Sequence, residues 1–449
     1  MKNKTARARL TEGDIKKTLI RLTGPMVVGM ASMMVFNITD TYFVGKLGTD
    51  QLAAMSFTFP VVLFIASLAM GLGLGTTAIV SHAVGENDQE KVKRITTDSL
   101  MLSLVIVAIF ALTGLMTIKP LFSMLGAKQE LMPYITRYMR IWYMSLVVVV
   151  VPMVGNNAIR SLGDTKTPAL IMTIAAAFNI ILDPLLIFGI GIFPRLELAG
   201  AAIATLISRA VALFISLYIL IHREEMLTFK KTAFQAVVNS WKQILFIGLP
   251  TAGSRMLAPV ALAVITRMVA SYGKEYVAAF GVSCRIEFFA MAVIVALTSV
   301  LGPFVGQNWG AGKYDRVYKG VAFSRNFCFT WGFFMYALLF VTARPLAGLF
   351  SKNPVTIATV VLYLKIAAAG LGFHGLLHLA ISVLNVVKKP IHAANLTVIQ
   401  LFLLYIPLAY IGSYFWGITG IISSIAASYV FGGIIAQIMM RKTLNTVLA

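Results

Sequence analysis

Asp40 and Asp183 are carboxylates in places where a carboxylate is costly. Asp40 closes an apolar run that begins at Met26, and Asp183 interrupts another that begins at Ile171. A charge at membrane depth costs on the order of 2.5 kcal/mol or more, so a carboxylate kept there faces water or a partner and serves a purpose. Asn37 stands three residues before Asp40, and Asn179 four before Asp183. Both spacings put an amide beside the carboxylate on one helix face. Amide carbonyl plus carboxylate is the chemistry of cation capture. A hard cation such as Na+ takes several oxygens, and a carboxyl that gains and loses a proton needs partners in both states. Thr205, in the following span, offers a hydroxyl, and the tandem Asn156–Asn157 offers amides from span four. A coupling site for H+ or Na+ is therefore expected at Asp40, Asp183, Asn179, Thr205, Asn157 and Asn37. Na+ in particular would sit at Asp40, Asn179, Asp183 and Thr205. The plainer alternative is that these groups only bond one another across helices.

The segments that carry these residues must lie in a bilayer. The 449-residue chain has a mean hydropathy of +0.85 and only 12% charged residues, against about 25% in a soluble domain. Runs of about 20 residues or more, long enough to cross, fall near 19–45, 51–83, 94–118, 131–157, 167–191, 198–221, 242–271, 277–305, 316–343, 354–386, 391–413 and 417–440. The net charge of +21 points first to nucleic acid, but the basic residues form no patch. Arg160 and Lys166, Arg223 and Lys230, Lys388 and Lys389, and Arg441 and Lys442 fall between or after spans on one side, with Lys2, Lys4, Arg7 and Arg9. The other side holds few, among them Lys119 and Arg195. By the positive-inside pattern both termini are cytoplasmic and the protein is multi-pass in the cytoplasmic (inner) membrane. The bilayer is then a partner and nucleic acid is not.

The two halves repeat. Pro25 aligns with Pro250, Gly48 with Gly273, Pro120 with Pro345 and Tyr138 with Tyr363, all at an offset of 225. A register held across a whole half indicates duplication. Six spans per half insert both halves the same way up, as parallel repeats. The expected fold is all-α: twelve transmembrane helices in two pseudo-symmetric six-helix bundles around a central cavity. The divisions are an N-terminal lobe at 1–221 carrying the ion site, a cytoplasmic linker at 222–241, and a C-terminal lobe at 242–449.

Other residues are less directive. Gly71, Gly73 and Gly75 lack the Gly-Lys-Ser/Thr ending of a phosphate loop and lie in an apolar span, so close helix packing explains them. His374 and His378 have the spacing of a zinc helix, but Gly375 stands where the catalytic glutamate would. No metal site is expected there, and these histidines are read as packed or cavity-lining. Cys284 and Cys328 sit in apolar runs and say nothing of disulfides. Arg255, Arg267, Arg285 and Glu287 lie at or near membrane depth in spans seven and eight. They are expected to pair across those spans, or to contact an anionic cargo. Met33, Met172, Tyr143 and Asn156 are expected to line the cargo path, methionine being adaptable enough for varied apolar ligands. Pro25 removes a backbone hydrogen bond inside span one, so it is either a hinge or a static kink.

The chain resembles the multidrug and toxic compound extrusion (MATE) transporters, and within them the DinF-like branch. The resemblance covers nearly all of it and rests on Asn37-Ile-Thr-Asp40-Thr-Tyr-Phe-Val-Gly45, Arg160-Ser-Leu-Gly-Asp164, Asn179-Ile-Ile-Leu-Asp183-Pro184, Gly200-Ala-Ala-Ile-Ala-Thr205 and Gly302-Pro-Phe-Val-Gly306-Gln-Asn-Trp-Gly310-Ala. It implies that Asp40, Asn179 and Asp183 bind the coupling proton or Na+, with Thr205 and Asn157 as companions, and that span one bends at Pro25. The NorM-like branch uses acids in spans seven and ten, which are missing here, so coupling is expected in the N-terminal lobe. The expected function is secondary antiport by alternating access, not enzymatic catalysis. Amphipathic, mostly cationic compounds leave in exchange for H+ or Na+, with no cofactor beyond the coupling cation, and the working unit is a monomer. A flippase for lipid-linked precursors, favoured by the arginines, and an intramembrane enzyme are the alternatives.

Overall fold

A computed structural model describes residues 9–230 and 233–448; Lys2, Lys4 and Arg7 lie outside the described residues. A chain this apolar must satisfy its backbone within itself, and helices do so. They are α1 (Ile15–Gly45), α2 (Thr49–Gly85), α3 (Gln89–Met124), α4 (Met132–Met144), α5 (Leu146–Ser161), α6 (Lys166–Phe188) and α7 (Leu198–Tyr218), then α8 (Phe234–Ala270), α9 (Lys274–Gly310), α10 (Tyr314–Phe350), α11 (Pro354–Ile366), α12 (Leu371–Val386), α13 (Pro390–Val398) and α14 (Ile406–Leu448). No strand occurs among the described residues.

These fourteen helices make twelve spans. Helices α4 and α5 are one span bent by 44° at Ser145. The Ser145 hydroxyl donates to Trp142 O at 2.7 Å, and such back-bonding competes with the helix ladder and bends it. A 3₁₀ turn at Ala367–Gly370 joins α11 to α12, and a π-helical turn at Ile399–Tyr405 joins α13 to α14. The run from Pro390 to Thr446 is too long for one crossing. It breaks at Gly417, whose φ of 58° and ψ of −135° are open to glycine alone at low cost. There the chain turns back on itself: a Cβ added at Gly412 would lie 2.5 Å from Gly420 O.

The chain forms two compact units, Met1–Leu10 with Gly24–Leu249, and Thr11–Thr23 with Pro250–Ala449. The boundaries fall inside α1 and α8, next to the repeat-related Pro25 and Pro250. Helix α8 begins at Phe234, within the segment expected as linker, because its apolar face extends into those first turns. There Ile244 is buried and Trp241 donates to Asp98 O at 2.9 Å.

In the first unit α6 packs on α7 and α2 on α5. Its core is aromatic, with Phe122, Tyr138, Trp142 and Tyr143 packed among Val44, Leu146 and Ile187. In the second unit α12 packs against α9, α10 and α14.

Candidate functional site

Helix α1 lies against α6 in the first unit because Gly29 lacks a side chain. A Cβ there would sit 3.0 Å from Ala169 Cα and 3.4 Å from Met172 Sδ. One turn on, Ser32 and Thr173 share a hydrogen bond of 3.0 Å across the same seam. This contact carries Asp40 toward the α6 pair. Asn179 and Asp183 are each 0% exposed, and Asn179 Nδ2 donates to Asp183 Oδ1 at 3.0 Å. Asp40 is half-buried. The two carboxylates interact electrostatically, and both interact with the hydroxyl of Tyr138 from α4.

Asp40 Oδ1, Asn179 Oδ1 and Asp183 Oδ2 are all buried without a hydrogen-bond partner among the described residues. A buried polar atom left unpaired costs about 1–3 kcal/mol. Three such oxygens, on two packed helices, form a set fit to take up a proton or to supply part of the oxygen shell of a small cation.

Not every expected member joins this set. Asn37 is one turn before Asp40 and exposed. Thr205 is half-buried on α7, and no described hydrogen bond ties it to the pair. The structure does not bring Asn157 there. Its Oδ1 accepts from Thr77 at 3.2 Å and from Arg160 at 2.6 Å, and its Nδ2 donates to Met153 O. It stands about 28 Å along the bent α4–α5 span from Tyr138 at 1.5 Å per residue. Gly73 closes over it, leaving no room for a Cβ against the Asn157 amide. Tyr143 is not a cargo-path residue either. It is 2% exposed, and its ring fills the space left by Gly114 in the aromatic core. Met33, Met172 and Asn156 are partly exposed, and Asn156 Oδ1 is buried and unpaired. Pro25 lies within an unbroken α1.

Two residues went unread in the sequence. Tyr138 was visible only as a repeat match. Arg209, one turn after Thr205 on α7, lies over the Phe36 ring at 5.0 Å. A lone cation in the apolar α7 run was the available signal.

The second unit has its own buried acid, and it does not pair with arginine as expected. Glu287 on α9 accepts from Tyr363 at 2.5 Å and from Tyr429 at 2.5 Å. His374 Nδ1 lies 3.6 Å from the same carboxylate. The His374 ring stacks on Tyr429 at 4.0 Å and sits 4.8 Å from His378. Hydroxyl donors reach Glu287 from α11 and α14, whereas Arg267 and Arg285 point outward and are exposed. Arg255 is exposed and interacts electrostatically with His378.

Twelve spans in two repeated units, with an incompletely bonded acidic pocket in one of them, define a membrane transporter of the duplicated six-span class. The sequence profile of the MatE family matches residues 25–185 and 250–411, one match in each half. The chain belongs to the MatE family, whose members are transporters and not enzymes. It is 37% identical to the FAD transporter of Shewanella oneidensis, over 98% of this chain and 97% of that protein. It is 25% identical to the multidrug export protein MepA of Staphylococcus saprophyticus, over 92% and 91%. Among solved structures, the Vibrio cholerae MATE transporter VcmN in its bent form superposes with a TM-score of 0.91 at 29% identity, covering 96% of this chain and 97% of that one.

Proposed function

We propose that this protein is a secondary active antiporter of the cytoplasmic membrane. It exports amphipathic, mostly cationic compounds by alternating access in exchange for H+, with Asp40, Asn179 and Asp183 as the coupling pocket. The observation that carries the reading is the set of three buried, unpartnered oxygens on Asp40, Asn179 and Asp183. Protonation would give Asp183 a donor and remove the repulsion between the two carboxylates, so α1 and α6 settle differently in the two states. A ligand shifts such an equilibrium only by its differential affinity, and a few kcal/mol suffices. The likeness to MepA supports a drug-like cargo. The likeness to VcmN, described in a bent form, supports bending of α1 at Pro25. Both repeats reside in one chain, which supports a monomeric working unit, and the excess of Lys and Arg on one side supports cytoplasmic termini.

The test is efflux of a fluorescent cationic dye from proteoliposomes under an imposed pH gradient, with and without Na+. Asp40→Asn and Asp183→Asn are each expected to abolish gradient-driven efflux while reaching the membrane in normal amount. Full efflux in either variant sinks the coupling role, and efflux driven by Na+ alone replaces H+ by Na+.

A second reading of the cargo is favoured by a different observation. The relative at 37% identity is named an FAD transporter, and Arg255 of the second unit is exposed and interacts electrostatically with His378, whose ring lies 4.8 Å from the His374 that stacks on Tyr429. A guanidinium next to stacking rings suits an anionic aromatic dinucleotide. Loading the same proteoliposomes with FAD separates the readings. Loss of FAD export in Arg255→Ala, with dye export retained, favours the dinucleotide.

A further inference from the structure

A groove in the second unit belongs to neither site described above. It has a volume of about 810 Å³ and lies between the start of α1 and the first half of α10. Its end wall is a fixed stretch of chain. Arg316 donates to Gly13 O at 3.0 Å, to Glu12 O at 3.1 Å and to Asn308 Oδ1 at 3.0 Å. Lys313 Nζ donates to Thr11 O at 3.1 Å. Gly13 takes a φ of 74° to make the turn. The floor is apolar: Ile20, Ala322, Phe323 and Phe327, with the Phe327 ring stacked on Trp331 at 6.2 Å.

The charged residues of the groove lie at one end. Lys16, Lys319 and Asp14 line its mouth, with Asp315 paired to Lys319, and from there the α10 lining is uncharged: Ala322, Phe323, Asn326, Phe327 and Thr330. Both acids are committed. Asp14 Oδ1 accepts the Lys17 N–H at 2.7 Å and caps α1. Asp315 pairs with Lys319 at 2.7 Å, but both are well exposed, at 77% and 64%, and such a surface pair contributes about 0.3–0.5 kcal/mol at most. Lys16 is exposed and has no ion-pair partner among the described residues. Two ammonium groups available at a polar mouth, over an aromatic and aliphatic floor, match a molecule with an anionic head and a hydrocarbon body. The mouth lies among the basic segments assigned to the cytoplasmic side, where anionic headgroups and Lys/Arg attract by about 1 kcal/mol per charge.

We propose that this groove holds one anionic phospholipid, with its phosphate between Lys16 and Lys319 and its chains on Ile20, Phe323 and Phe327. Helix α1 begins in this groove and carries Asp40 further along, so a lipid seated here clamps the helix on the far side of Pro25 from the proposed coupling pocket.

The test uses the purified full-length protein and native mass spectrometry after exchange into detergent with phosphatidylglycerol or phosphatidylcholine. Wild type is expected to retain one phosphatidylglycerol with at least ten-fold preference over phosphatidylcholine. The double variant Lys16→Ala, Lys319→Ala should lose most of that preference. The control double variant Lys388→Ala, Lys389→Ala, in a remote basic turn, should keep it. Phe327→Ala should weaken retention without altering headgroup preference, and inorganic phosphate at millimolar concentration should not displace the lipid. Equal retention of the two lipids by wild type overturns the proposal. So does an undiminished preference in the Lys16, Lys319 variant, or equal loss in the control. Displacement by inorganic phosphate shows a simple anion site and overturns the lipid assignment.

Discussion

Each unit buries a carboxylate beside a tyrosine from its fourth span, and the tyrosines, Tyr138 and Tyr363, are repeat partners. In the second unit Glu287 receives hydroxyls from Tyr363 and Tyr429 at 2.5 Å each, with His374 close by. In the first unit two carboxylates and an amide share a single hydrogen bond, 3.0 Å from Asn179 to Asp183, and three oxygens are left over. A fully bonded buried acid ties its helices together, and charge-assisted bonds of this kind are the strong ones. An underbonded pair of acids is poor glue, and it is poised to take up a positive charge. Duplication thus supplied one scaffold twice, and the acids differ: bonded to two tyrosines in one half, underbonded in the other.

The sharpest way to break this contrast is to neutralise one acid in each unit. Asp183→Asn is expected to reduce gradient-driven export at least ten-fold and to leave thermal stability unchanged or raised, because the amide keeps an acceptor for Asn179 and replaces an acid whose second oxygen is buried and unpaired. Glu287→Gln should do the reverse. It leaves one tyrosine hydroxyl facing an amide N–H, costs about 2–4 kcal/mol, lowers Tm by several degrees, and spares the dependence of transport on the pH gradient. Loss of coupling in Glu287→Gln with Tm intact would put the working acid in the second unit.

The repeat-related tyrosines sharpen the same point at lower amplitude. Tyr363→Phe removes a charge-assisted bond worth about 1.5–3 kcal/mol and should appear as a fall in Tm. Tyr138→Phe should cost less stability and shift the pH at which export is half-maximal, because the Tyr138 hydroxyl interacts electrostatically with both Asp40 and Asp183. Matched Tm losses and unshifted pH profiles in the two variants would show that the tyrosines have equivalent structural roles.

Much of this was legible in the residues. Apolar runs located the spans, the offset of 225 exposed the duplication, and the four-residue spacing of Asn179 and Asp183 anticipated their hydrogen bond. Helical spacing fixes which side chains share a face of one helix; it does not say which face meets a neighbour. Asn157 therefore looked like a companion of Asp183, yet it points to Thr77 and Arg160. Tyr143 looked like a cargo contact, yet it packs where Gly114 makes room. Glu287 was expected to find arginine, but the donors came from α11 and α14, more than seventy residues away. The bend at Ser145 was hidden as well, since it occurs inside uninterrupted apolar sequence, whereas the reversal at Gly417 falls where the runs 391–413 and 417–440 separate.

The repeat-related prolines give the next contrast. Pro25 precedes Asp40 by fifteen residues in α1, about 22 Å at 1.5 Å per residue. Pro250 precedes no acid in the rest of α8. A proline lowers the cost of bending wherever it sits in a helix, but only in α1 does a charge change have a lever to act on. Pro25→Ala should fold and export about three- to ten-fold more slowly, and Pro250→Ala should stay within about two-fold. Equal slowing of both, or of neither, removes the hinge from the mechanism.

The smallest expected effect lies outside the membrane, in the turn after α5. Burial alone would raise the Asp164 carboxyl, but hydrogen bonds from the Thr167 side chain at 2.6 Å and backbone at 3.0 Å, together with the Arg223 guanidinium, hold it below its ordinary value of 3.8. A carboxyl depressed in the folded state contributes stability that is fully present above its unfolded value and disappears as pH falls through the lower folded value. The corresponding turn of the second unit, Val387 to Lys389, has no acid and two lysines, so it has no such bond to lose. Acidification below about pH 4 should therefore speed amide exchange around residues 162–168 before it does so around 387–390. Asp164→Asn should cost about 1–2 kcal/mol at neutral pH and flatten the acid dependence of Tm. If both turns loosen together, or if Asp164→Asn leaves the acid limb of the Tm curve unchanged, the difference between the two units stops at their buried acids and does not extend to these turns.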